Sequence, residues 1–191
     1  LSIFQSRRVD QQVRTSFQLV QGDPASFGFA TSNVDKGKTL GLEADIRWRP
    51  SGEWELYANV GLLNAALGEF PQLQNGPDGR GQAHAPRYTL AGGIVYRHPN
   101  GVFARLDATA KDSFYFDVSH DEKSKAFELV NVRIGYAGES WLLSVWGRNL
   151  FDKNYAVRGF YFGNEPPDFP NTLYTRLGDP RQVGVTIEMR F

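Results

Sequence analysis

The 191 residues contain no cysteine, which excludes a disulfide framework and any thiolate metal site and is compatible with an oxidising compartment. Long apolar runs are missing too: nothing approaches the roughly 18 consecutive apolar residues of a spanning helix. Mean hydropathy is negative, which argues against a helical membrane protein. A transmembrane β-barrel escapes that test, because only every second residue of its strands must face lipid. Net charge is absent, with 21 basic and 21 acidic residues, which removes a global drive toward nucleic acid. The three histidines, His84, His98 and His120, are scattered without a metal-ligand spacing partner. No nucleophile–base constellation stands out, so no enzyme and no cofactor are expected. The Gly-rich stretch from Gly76 to Gly81 lacks the lysine and strand-to-helix context of a phosphate loop and reads as a flexible loop. The start, Leu1-Ser2-Ile3-Phe4, is neither an initiator methionine nor a signal peptide with a charged n-region, and reads as truncated or processed.

What is present is alternation. Leu40, Leu42, Ala44, Ile46 and Trp48 fall on one face, against Gly41, Glu43, Asp45 and Arg47 on the other. Segments 54–62, 102–110, 130–136 and 182–191 repeat the pattern. One apolar and one polar face per segment means half-buried strands. Two segments fit less well: 88–96 is apolar on both faces, and 141–151 turns Trp146 toward the polar side. With a polar strand over 1–19, about eight strands are expected, in an all-β antiparallel fold.

The connections alternate in length. Tight turns lie at Pro50-Ser51-Gly52, Pro99-Asn100-Gly101 and Gly138-Glu139-Ser140; between them fall longer segments near 20–33, 70–85, 117–126 and 158–180. Short turns on one side and long loops on the other are the asymmetry of outer-membrane barrels. Trp48, Trp54, Tyr96, Tyr136 and Trp141 flank the tight turns on the apolar parity, as an interfacial aromatic girdle would. Phe103 departs from that parity. The same aromatics could instead cap the core of a soluble β-sandwich. Polar-face charges such as Glu43, Asp45, Arg105, Asp107 and Arg133 fit a wide, plugged or wet lumen more easily than a narrow one.

Two motifs carry a family resemblance. Asn149-Leu150-Phe151-Asp152-Lys153-Asn154-Tyr155 resembles the NLFDKxY signature of TonB-dependent receptors, and the terminus from Gly178 to Phe191 resembles their last strand. Weaker echoes are 41–50 and 85–90. The resemblance implies that 1–191 is the C-terminal part of one such barrel, about the last eight of 22 strands, in the outer membrane of a Gram-negative bacterium. It implies uptake of a scarce nutrient, most often a ferric siderophore, driven by the TonB complex through a region this chain does not contain. It also implies that Phe191, with Val183, Val185, Ile187 and Met189, is a signal read by the barrel assembly machinery; an edge strand offers unpaired backbone groups for strand addition. Ligand contacts would come from outer loops: Arg80, His84, Tyr115, Arg158, Phe160, Tyr161, Tyr174 and Arg176. Arginine with aromatics suits an anionic or planar ligand; each of these residues could equally pack its loop. Two other readings stay open at this point: a small stand-alone outer-membrane barrel or adhesin domain, and a soluble β-sandwich carbohydrate-binding module.

Overall fold

A computed structural model describes residues 1–20, 22–68, 81–118 and 120–189. Arg80, Phe191 and the loop through Gly76 lie outside the described residues. Among the described residues ten strands follow one another: β1 (Ser2–Gln18), β2 (Phe27–Trp48), β3 (Trp54–Leu67), β4 (Tyr88–Arg97), β5 (Val102–Lys111), β6 (Phe127–Ala137), β7 (Trp141–Arg148), β8 (Ala156–Phe162), β9 (Thr172–Leu177) and β10 (Gln182–Met189). Eight form one sheet in the order β1-β2-β3-β4-β5-β6-β7-β10, and β8 and β9 form a separate hairpin. Every pairing between these strands is antiparallel. The expected eight strands are those of the sheet. The hairpin occupies the segment 158–180 that had read as loop, because Arg, Gly and Pro there mask the short run of aromatic and β-branched residues. The segment 20–33 is likewise shorter than expected, since β2 already begins at Phe27.

Register turns alternation into two continuous surfaces. One row of paired residues runs Trp48, Leu56, Ile94, Leu106, Val132, Gly147, Val183 across seven strands. A neighbouring row on the other face runs Arg47, Tyr57, Gly93, Asp107, Asn131. A one-residue slip would move every apolar side chain to the polar face. Among the described residues, far more large apolar side chains are exposed than buried: Ile46, Trp48, Ile134, Val145, Val183, Val185, Ile187 and Met189 are all more than half exposed. A sandwich would bury such a face against a second sheet. Among the described residues this face is bare.

The polar face explains the exceptions to alternation. Phe4, Tyr57, Phe103 and Trp146 each lie over the glycine directly opposite on the next strand: Gly41, Gly93, Gly135 and Gly184. A Cβ at Gly184 would come within 2.4 Å of the Trp146 ring. At these four positions the partner has no side chain, which leaves room for the ring on the polar face, and the pair then pins register. Trp146 Nε1 also donates to Thr186 Oγ1 at 3.1 Å, so the indole nitrogen is satisfied. Arg105 grips Asp107 through Nε at 2.7 Å and Nη2 at 2.9 Å, and Tyr57 donates its hydroxyl to the same carboxylate. Glu55 gathers Arg47, Arg49 and Arg97 at 3.5, 3.0 and 3.9 Å.

The three tight turns lie at one end of the sheet, and the aromatics flank them. Trp54 and Tyr96 are paired with ring centroids 4.6 Å apart, and Tyr136 and Trp141 are stacked at 5.2 Å. Trp48 is 61% exposed. The long connections share the opposite end, where β1 and β2, 17 and 22 residues long, reach beyond their neighbours. At about 3.3 Å per residue β2 spans roughly 70 Å, more than twice a hydrocarbon layer of about 30 Å.

Candidate functional site

The end with the long connections has its own small core. Val13 of β1, Leu67 at the end of β3 and Val118 of the β5–β6 connection are buried together, with Ala83 against them. The β5–β6 connection folds back on itself: Phe114 N donates to Ser124 Oγ at 3.0 Å and Ser124 N to Phe114 O at 2.9 Å. Phe114 and Phe116 meet edge to face at 5.7 Å and are both buried. A Cβ at Gly159 of β8 would collide with the Phe116 ring at 2.5 Å, so this glycine lets the hairpin lie directly on the loop. His120 completes the junction. Its Nδ1 meets Asp117 Oδ2 at 2.7 Å, its Nε2 faces Asn171 Nδ2 at 2.9 Å, and its ring stacks on Tyr161 at 3.5 Å and 8°. Tyr161 donates its hydroxyl to Glu122 Oε2 at 2.7 Å, and that bond holds the Glu122 carboxyl below the usual range.

Between these parts lies a cavity of about 360 Å³, lined by Arg14, Phe29, His84, Phe116, Asp117 and residues 158–162. The cavity draws on β1, β2, two connections and β8, so no local motif announces it. Arg14 lies 4.3 Å from the Phe29 ring centre and Arg158 lies 4.6 Å from that of Phe160. The rings hold both guanidinium planes by cation–π contact. His84 sits at φ 55° with its N–H bonded to Tyr115 O at 2.9 Å, and its ring is 5.2 Å from that of Phe114. Desolvation of the ring, followed by the charges of Arg158 and Lys111, holds its pKa below the usual histidine value. A mouth with two arginines, a neutral imidazole and several rings suits an anionic, flat ligand.

Of the sequence-expected contacts, His84, Arg158, Phe160 and Tyr161 converge on this cavity. Tyr161 is 4% exposed and spends its hydroxyl on Glu122, so it serves first as a packing element. Tyr115 lines a separate depression with Arg87 and Lys123. Tyr174 and Arg176 are not in the cavity: they stand directly opposite Phe160 and Arg158 on the hairpin, forming an arginine pair above an aromatic pair. Sequence reasoning missed Arg14, Phe29, Phe116, Asp117 and Phe162. Their only signal was membership in strands or loops at the correct end. Among the described residues no group of three or more His, Asp or Glu could hold a metal ion. Val183, Val185, Ile187 and Met189 line one bare face of β10, whose second edge has no neighbour among the described residues.

The chain is similar to the pesticin receptor of Yersinia pestis, 25% identical over 166 residues, which is 84% of this chain and 23% of that receptor. Its fold resembles that of the ferric yersiniabactin uptake receptor FyuA from Yersinia pestis, with a TM-score of 0.70 at 22% identity over 85% of this chain and 25% of that one. It also resembles that of the copper transporter OprC, with a TM-score of 0.72 at 14% identity over 99% of this chain and 29% of that one. The chain thus spans about a quarter of the length of these relatives. The model for the TonB-dependent receptor-like β-barrel family matches residues 1–150. With an antiparallel sheet bare on its apolar side and that match over most of its length, the chain belongs to the TonB-dependent receptor β-barrel family, a family of receptors rather than enzymes.

Proposed function

We propose that this chain is the C-terminal portion, residues 1–191, of an outer-membrane receptor that takes up a scarce nutrient, and that the nutrient is a ferric siderophore. The observation that carries the reading is the cavity at the loop end: Arg14, His84 and Arg158 held among phenyl rings, above a wall with an apolar exterior. An anionic chelate with planar aryl or carboxylate groups meets complementary charge and stacking surface there. The likeness to a ferric yersiniabactin receptor supports that ligand class. The bare apolar face would meet outer-membrane lipid, with Trp48, Trp54, Tyr96, Tyr136 and Trp141 at the inner interface. Tight turns then lie on the periplasmic side and the cavity outside. Energy would come from the TonB complex through the part of the protein outside this chain. The assembly machinery would template on β10 by strand addition; this role includes Phe191. Arg80, Tyr115, Tyr174 and Arg176 would be secondary ligand contacts.

The test is iron-limited growth of a receptor-deleted Gram-negative host carrying the full-length protein, supplied in turn with ferric catecholate, phenolate and citrate chelates, copper salts and oligosaccharides. Rescue by one class of ferric chelate, lost in the Arg14→Ala/Arg158→Ala double variant at equal surface level, is the expected result. Uptake of copper or sugar with no response to any ferric chelate would overturn the siderophore assignment.

A further inference from the structure

Arginines laid over aromatic rings recur on the polar face of the sheet, away from the loop-end cavity. Arg133 lies 5.7 Å from the Phe103 ring centre and Arg148 lies 5.2 Å from that of Trp146. Both rings lie over the glycines opposite them, Gly135 and Gly184. Arg105 stands directly opposite Arg133, and like charges facing across strands cost stability. The three arginines line one hollow of about 410 Å³, together with Asp107, Asn131 and Thr186. Asp107 is taken by Arg105 at 2.7 Å. Among the described residues Arg133 and Arg148 have no carboxylate partner; Arg133 Nε donates to Ser144 Oγ at 3.0 Å. Three guanidiniums against one carboxylate leave an excess of positive charge, so the complement of the hollow is an anion.

The hollow repeats the chemistry of the loop-end cavity, where Arg14 lies over Phe29 and Arg158 over Phe160. Lys111 stands between the two. It has the same parity as Arg105 on β5 and lies roughly 20 Å further toward the long connections at about 3.3 Å per residue. Its Nζ is 4.6 Å from the Phe114 ring centre, which is itself 5.2 Å from that of His84 in the cavity.

We propose that Arg105, Arg133 and Arg148 form a second, inner station for the anionic ferric chelate, entered after the loop-end cavity. The guanidiniums laid over Phe103 and Trp146 offer donors to carboxylate or phenolate oxygens, in charge-assisted bonds of the strong class. The loop-end arginines set capture, and the inner three set passage along the lumen side of the wall. The inference rests on the uptake reading proposed above.

The experiment uses cells carrying the full-length receptor, with radio-iron complexes of dihydroxybenzoate, salicylate and citrate as probes. Surface binding is measured in de-energised cells and uptake in energised ones. A fluorophore on Thr109→Cys, on the same face of β5 as Asp107, reports arrival of the iron centre by quenching. Wild type should bind one probe, quench and take it up. Arg133→Gln/Arg148→Gln, at equal surface level, should keep surface binding within about twofold, abolish the quenching and lower uptake by roughly tenfold or more. Arg14→Ala/Arg158→Ala should lose surface binding instead. Thr109→Glu adds a carboxylate beside the hollow without removing an arginine and should slow uptake in the same way; it decides the matter if the double variant does not reach the outer membrane. Unchanged uptake in these inner variants would overturn the station. So would lost uptake with quenching intact, which is the result of a purely structural role for the arginines. A wild-type receptor that takes up none of the three probes would overturn the uptake reading and the station together.

Discussion

His84 is the residue whose chemistry depends most on what enters the cavity. Desolvation, Arg158 and Lys111 favour its neutral form. An anionic ligand beside it reverses the local field and raises its pKa, so binding takes up a proton. Affinity for an anionic chelate should therefore rise as pH falls from 7.5 to 5.5. Calorimetry in buffers of different ionisation enthalpy should show proton uptake in wild type and none in His84→Asn. Arg158 offers a second test. Removing a charge-assisted contact is worth about 1.5–3 kcal/mol, so Arg158→Ala should weaken binding of such a chelate by roughly ten- to a hundredfold. Arg176→Ala, whose side chain is outside the cavity, should weaken it less.

At the scale of elements, the junction between β7 and β10 is built around one side chain. Asn149 is 5% exposed, at φ 47°. Its Nδ2 donates to Lys153 O at 3.0 Å and Asp179 O at 3.1 Å, and its Oδ1 accepts from Lys153 N at 2.8 Å. Its own N–H is taken by Asn131 Oδ1 at 2.9 Å, and Asp152 Oδ1 accepts from Arg181 N at 2.9 Å. These bonds close the base of the β8–β9 excursion and deliver β10 to the edge of β7. The NLFDKNY motif is therefore a knot of backbone contacts rather than a ligand site. Asn149→Ala loses three bonds and strands buried backbone groups, which should cost about 2–4 kcal/mol; the midpoint of urea unfolding of the full-length receptor in lipid measures it. Gly184→Val would place atoms where the Trp146 ring lies. Overpacking of this kind costs roughly 1–3 kcal/mol, and Gly184→Val with Trp146→Ala should recover part of the loss.

At the scale of the molecule, the two faces of the sheet make opposite demands. Ile134 is 56% exposed in the middle of the apolar face, between Ala104 and Val145. Arginine there would meet hydrocarbon and should lower the stability of the membrane-inserted receptor by about 2–4 kcal/mol. Arginine at Thr109, on the polar parity, should have an effect well under half as large. Equal effects in folding titrations into lipid vesicles would contradict the assignment of faces.

Strands, their faces and the aromatics beside the tight turns were legible in the sequence, because side-chain alternation is a local property of an extended backbone and needs no knowledge of neighbours. The end at which the long connections gather, where the cavity lies, followed from loop length alone. The family was legible through residues 149–155 and 178–191, although the matching family model spans 1–150 and scarcely touches them. The tertiary structure alone decided which residues meet. Arg14 and Phe29 reach Arg158 only because β1 and β2 extend past the sheet and the β8–β9 hairpin lies on Phe116. Trp146 turns to the polar face because Gly184 stands opposite it, and a sequence read one strand at a time carries no record of its cross-strand partner. Arg7 and Lys38 are likewise distant in the chain, and register placed them side by side.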